Sequence, residues 1–182
     1  MNIPNTLTIL RILSIPVLVV LLLFSKFEGK EFVTFTVFLL AAMTDMLDGF
    51  LARRKKQTTV FGQLLDPSAD KLLVVSVFIC FVELNIVPAW IVIIIVGREL
   101  SVSGFRALAS SKGITIKASF LGKTKMVIET VTSSLFILGK EILGNLYFLS
   151  KIGLWLIIVI AVASALEYYI KYGSQVLKGH RP

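Results

Sequence analysis

The chain has only four aspartates, and all of them fall within the 26 residues from Asp45 to Asp70. At a helical 100° per residue, Asp45 and Asp48 lie about 60° apart and Asp66 and Asp70 about 40° apart, so each pair shares one face. Carboxylates crowded together without cations raise one another's pKa and cannot all stay ionised. Divalent cations remove that conflict. An oxygen-only donor set suits Mg2+, Mn2+ or Ca2+, and with no His or Cys nearby a structural zinc centre does not fit. Gly49 and Ala52 follow Asp45 at i+4 and i+7, and Gly62 precedes Asp66 by four, so small residues accompany the acids on one stripe. They leave space there, although Gly49 alone would also serve close helix packing. Arg53 stands one turn beyond Gly49, placed to reach an anionic ligand. Metal ions, an arginine and room for a flat group together suggest a nucleotide diphosphate.

The elements that must position these residues follow from composition. Of 182 residues, 56% are hydrophobic and only 16% charged, with a mean hydropathy of +0.88. A soluble domain averages about 25% charged residues. The 13 phenylalanines, with many Ile, Leu and Val, exclude a disordered chain. One helical crossing needs ~20 apolar residues, so six would use about 120 and leave no room for a separate soluble domain. The apolar runs predict six transmembrane helices at about 4–24, 32–54, 63–84, 87–110, 119–139 and 147–171. The expected fold is all-α, a single six-span membrane domain over residues 1–182. The first run, interrupted early by Arg11 and followed by no small-residue cleavage site, reads as an uncleaved span.

Net charge is +8. In this setting the excess reads as positive-inside loops beside anionic headgroups, not as a nucleic-acid surface. Arg53, Arg54, Lys55 and Lys56, then Lys112 and Lys117, then Lys171, Lys178 and Arg181 mark the cytoplasmic connections and tail. Both termini are therefore expected in the cytoplasm, with the protein in the cell membrane. On that topology Arg11, the four aspartates, Lys71, Arg98, Glu99, Arg106, Lys123, Lys125, Glu129 and Glu167 all lie toward the cytoplasmic side. Ionisable groups in a membrane are expensive and usually face a wet, functional cavity. A cytoplasm-facing polar pocket is the expectation.

The acidic segment reads Asp45-x2-Asp48-Gly49-x2-Ala52-Arg53-x8-Gly62-x3-Asp66-x3-Asp70, and at all eight positions it resembles the signature of the CDP-alcohol phosphotransferases. That resemblance implies a polytopic, homodimeric membrane enzyme that moves a phosphatidyl group from CDP-diacylglycerol to an alcohol and releases CMP. It implies that Asp45, Asp48, Asp66 and Asp70 hold Mg2+ or Mn2+, as two ions, with Asp70 also the general base. Asp48, Gly49, Ala52, Arg53 and Gly62 would receive CDP-diacylglycerol.

Further segments resemble one branch, the bacterial phosphatidylglycerophosphate synthases: Ile3-Pro4-Asn5-x2-Thr8-x2-Arg11, the Arg98-Glu99 pair, and Leu121-Gly122-Lys123-x-Lys125. Met126 departs from the threonine expected there. The acceptor implied is glycerol 3-phosphate, whose dianion needs cations, and Arg98, Arg106, Lys117, Lys123 and Lys125 lie at the right depth. Asn5, Thr8 and Arg11 would extend this wall. Two alternatives stand beside it: a relative with serine, inositol phosphate or a second phospholipid as acceptor, and a divalent-cation transporter. The basic pocket favours a phosphorylated acceptor over serine, and the apolar outer halves offer a transporter no pathway.

Overall fold

The computed structural model describes the backbone of residues 3–55, 60–114, 116 and 119–178, and the side chains of 8–44, 69, 71–114, 116, 119 and 121–176. These residues form α1 (Ile3–Leu23), α2 (Lys30–Lys55), α3 (Val60–Glu83), α4 (Ala89–Ser111), α5 (Phe120–Leu143), a 3-10 turn (Gly144–Tyr147) and α6 (Phe148–Lys178). No strand occurs among them. Each helix falls on one of the expected apolar runs, but the ends of the last two differ. Gly139, at φ 71° and ψ 175°, interrupts α5 where its end was expected, and helix then resumes to Leu143. Helix α6 continues through the polar tail to Lys178. Pro16 lies inside α1 without ending it.

The tight connections have local causes. Asn85 follows α3 at φ 56°. Its N–H reaches the Val82 carbonyl at 2.9 Å and the Ile86 N–H reaches Phe81 at 2.8 Å, the paired bonds of a left-handed helix stop. Pro88 then precedes α4 in extended backbone, φ −63° and ψ 138°. Gly113, at φ 74°, closes α4 by the same pattern: its N–H bonds Ser110 at 3.0 Å and that of Ile114 bonds Ala109 at 2.9 Å.

Helix α1 packs on α2 and α3, α5 on α6 and α2, and α4 on α3 and α6. Their shared core holds Leu18, Phe38, Leu73, Val77, Phe78, Ile95 and Ile157. Phe81 sits at its centre, edge-on to Phe78 at 5.8 Å and tilted against Phe136 at 5.4 Å. Helices α5 and α6 are in close contact at Gly153, where an added Cβ would strike the Thr132 hydroxyl and lie 3.1 Å from Thr132 Cβ.

Many large apolar side chains are exposed. Leu13 is 59% exposed, Ile93 69%, Val159 62% and Ile170 80%. Among the described residues, the helical stretch Leu121–Val176, through α5 and α6, is long and apolar enough to cross a membrane, an 18-residue window of it having mean hydropathy 2.3. Thr8–Leu23 is a shorter apolar helix. The polar contacts between helices gather at one end: Arg11 with Thr44, Lys71 with Ser103, Arg98 with Ser164, Ser119 with Tyr168. At the other end Trp90 meets Trp155 and Phe136 meets Tyr147, each pair at 6.1 Å.

Candidate functional site

Both aspartate pairs lie on helix: Asp45 and Asp48, with Gly49, Ala52 and Arg53, in the C-terminal half of α2, and Gly62, Asp66 and Asp70 in the N-terminal half of α3. The side chains of these eight residues lie outside the described set, as do that of Asn5 and the whole of Lys117. What the backbone gives is the register, i,i+3 on one helix and i,i+4 on the next. Among the described residues no group of three His, Cys, Asp or Glu is placed to hold a metal. The donor set on α2 and α3 consists of carboxylates alone, and its chemistry fits a hard divalent cation.

Thr8 and Arg11 are fully buried on α1. The Arg11 guanidinium donates to Thr44 Oγ1 from Nε at 3.4 Å and from Nη2 at 3.3 Å. Thr44 immediately precedes Asp45, so α1 meets α2 at the register of the first aspartate.

Four of the five cations expected to face the acceptor line one cavity of ≈ 230 Å³ at the polar end of the molecule: Arg98 and Arg106 from α4, and Lys123 and Lys125 from α5. Lys71, Glu99, Ser103, Glu129 and Tyr168 complete its polar lining. The four cations are held very differently. Arg98, 10% exposed, donates to Ser164 Oγ on α6 at 3.1 and 2.8 Å and to Glu99 Oε1 at 2.5 Å. Lys125, 3% exposed, pairs with the same Glu99 oxygen and lies 2.5 Å from Glu129, one turn on. Arg106 and Lys123 are exposed and have no ion-pair partner among the described residues.

Sequence reasoning did not assign Glu99 this central position, although it noted the Arg98-Glu99 pair. Glu99 joins three helices: Arg98 on its own, Lys125 on α5, and Lys71 on α3, whose Nζ lies 3.9 Å from Oε2. Lys71 also donates to Ser103 Oγ, and Ser103 in turn donates to the Glu99 carbonyl at 2.5 Å. The i,i+4 spacing of Lys125 and Glu129 was a legible signal. The pairing of Arg98 with Ser164, 66 residues apart, was not.

The start of α5, which carries Lys123, is set by Ser119. Its hydroxyl accepts the Gly122 N–H at 3.1 Å, and its own N–H donates to the Tyr168 hydroxyl at 2.9 Å. Such a cap contributes about 1 kcal/mol and fixes where the helix begins.

The described residues are helical, with an apolar exterior, two helix-borne aspartate pairs and a cavity lined by cations at one end. The chain belongs to the CDP-alcohol phosphatidyltransferase family, whose model matches residues 1–166. It is 34% identical to the CDP-diacylglycerol–glycerol-3-phosphate 3-phosphatidyltransferase of Bacillus subtilis, over 93% of this chain and 94% of that one. Proteins of the same name from Rickettsia bellii and Rickettsia typhi are each 33% identical over 92% of this chain, covering 93% and 95% of their own lengths.

Proposed function

We propose that this protein transfers the phosphatidyl group of CDP-diacylglycerol to a hydroxyl of glycerol 3-phosphate, giving phosphatidylglycerophosphate and CMP. Family membership and the named relatives support the reaction class. The observation that favours a phosphorylated acceptor is the cavity at whose edge Arg106 and Lys123 have no ion-pair partner among the described residues; the names of the relatives favour glycerol 3-phosphate among such acceptors. A phosphate dianion gains from two such groups, and arginine offers a forked contact. Serine, glycerol or choline would gain little.

In this reading Asp45, Asp48, Asp66 and Asp70 would hold two divalent ions, Mg2+ or Mn2+. When bound, such ions neutralise the diphosphate and stabilise the departing CMP. The chain's own groups do the rest. Asp48, Gly49, Ala52, Arg53 and Gly62 receive the nucleotide-lipid, the arginine meeting its negative charge. Arg106 and Lys123 anchor the acceptor phosphate, with Arg98 and Lys125 in the wall behind and Lys117 on the neighbouring connection. Asn5, Thr8 and Arg11 line the α1 side. Asp70 takes the proton from the acceptor hydroxyl. The hydroxyl oxygen attacks the phosphorus that bears diacylglycerol, a new P–O bond forms, and the bond to the CMP oxygen breaks. Positioning and charge neutralisation account for most of such a step.

The same proposal makes the six helices six spans of one domain, 1–182, in the cell membrane, with termini and cavity facing the cytoplasm. Its support is the apolar exterior, the polar end shared by the site, and the distribution of Lys and Arg between connections. The exposed Trp90 and Trp155 suit the opposite interface. A homodimer among membrane phospholipids is part of the reading by family resemblance. The test is reconstitution: purified protein with CDP-diacylglycerol, glycerol 3-phosphate and Mg2+ should release CMP and lipid-bound glycerol phosphate in equal amounts. CMP release that does not depend on glycerol 3-phosphate would overturn it.

A further inference from the structure

A largely buried carboxylate among the acceptor cations is at first sight misplaced. Glu99 competes with any phosphate for Arg98 and Lys125, and it stands within reach of Lys71 as well. Its side chain is 13% exposed, so its pairs are screened little by water. Lys125 is held twice, by Glu99 and by Glu129, and Arg98 is held by Glu99 and Ser164. The consequence is a division by depth. The deep cations are already occupied, and the exposed Arg106 and Lys123 have no ion-pair partner among the described residues.

We propose that Glu99 is a positioning and specificity residue: it occupies the deep cations so that the acceptor phosphate is held at the cavity edge by Arg106 and Lys123. The proposal rests on the acceptor reading above and adds to it. Unoccupied buried cations are costly, and they would take up any anion that fits. An acceptor drawn down to Arg98 and Lys125 would carry its hydroxyl out of line with the phosphorus. Because reaction depends on near-attack geometry, a displacement of about 1 Å can cost about a hundredfold in rate. Without Glu99 the site should therefore bind phosphate better and react worse. Loss of a carboxylate that merely braced three helices would lower the rate too, but it would not strengthen phosphate binding.

The test is Glu99→Gln, which keeps shape and removes charge. Inorganic phosphate is the probe, read in two ways: as a competitor of glycerol 3-phosphate, and by the thermal shift it gives the purified protein. The expected result is about tenfold stronger inhibition by phosphate, since a charged hydrogen bond contributes about 1.5–3 kcal/mol. With it should come a larger phosphate-induced thermal shift, a kcat lowered at least tenfold, and an unchanged KM for CDP-diacylglycerol. Glu99→Asp should move these values back toward wild type. If Glu99→Gln is unstable alone, the account requires phosphate in the buffer to restore the fold. Unchanged or weaker phosphate binding, or a variant that fails to fold even in phosphate, would overturn the proposal. The thermal shift needs no turnover, so it separates failure here from failure of the acceptor reading, which would show as wild-type protein inactive with glycerol 3-phosphate.

Discussion

Arg106 and Lys123 differ from Arg98 and Lys125 in what already holds them, and that difference decides what each substitution should do. Lys123→Ala removes an exposed cation with no partner among the described residues. It should raise KM for glycerol 3-phosphate by about tenfold, the loss of one charged hydrogen bond, and leave KM for CDP-diacylglycerol unchanged in steady-state assays. Asp70→Asn should abolish turnover while nucleotide-lipid binding stays measurable, because three carboxylates remain. Binding lost together with turnover would make Asp70 chiefly a ligand. Asp66→Asn should cost about 10³-fold or more, as losses of transition-state charge stabilisation do, and excess chelator should stop the reaction until Mg2+ or Mn2+ is returned. Residue types and spacing put both aspartate pairs on helices, where the backbone has them, and singled out four cations that line one cavity. They could not distinguish an occupied cation from an unoccupied one, because Glu99 meets Lys125 from 26 residues away and Lys71 from 28.

The helices themselves were the most legible part, since each of the six expected apolar runs coincides with one helix. Their pairing was less so. Helix α4 meets α6 through Arg98 and Ser164, and α5 meets α6 where Gly153 faces Thr132; neither contact leaves a period in the sequence. Gly153→Ala tests the second directly. Its new methyl would meet the fully buried Thr132 hydroxyl, and overpacking of this kind costs about 1–3 kcal/mol. A lower unfolding temperature in detergent is expected, and Thr132→Ala in the same chain should recover most of it. Stability equal to wild type would mean that α5 and α6 separate at little cost. The continuation of α5 past Gly139 escaped the sequence because a glycine at positive φ reads as a helix end.

Across the described residues the polar contacts between helices gather at one end, and the account makes that end cytoplasmic. Single cysteines placed at Lys26 or Lys140 should react with a membrane-impermeant maleimide in intact cells, and those at Lys112 or Lys171 only after lysis. The reverse pattern would put the cavity on the wrong side for soluble substrates. Charge distribution carries the expectation of orientation, and it also led to the expectation of a polar pocket, but which side chains line the cavity depended on packing among α3, α4, α5 and α6. The central claim is the reaction, and acceptor competition tests it most directly. Purified protein is given CDP-diacylglycerol and Mg2+ with glycerol 3-phosphate, inositol phosphate, serine or glycerol in turn, and CMP is measured. The account predicts rapid release with glycerol 3-phosphate and little with the others; comparable or faster release with any of the other three would contradict it.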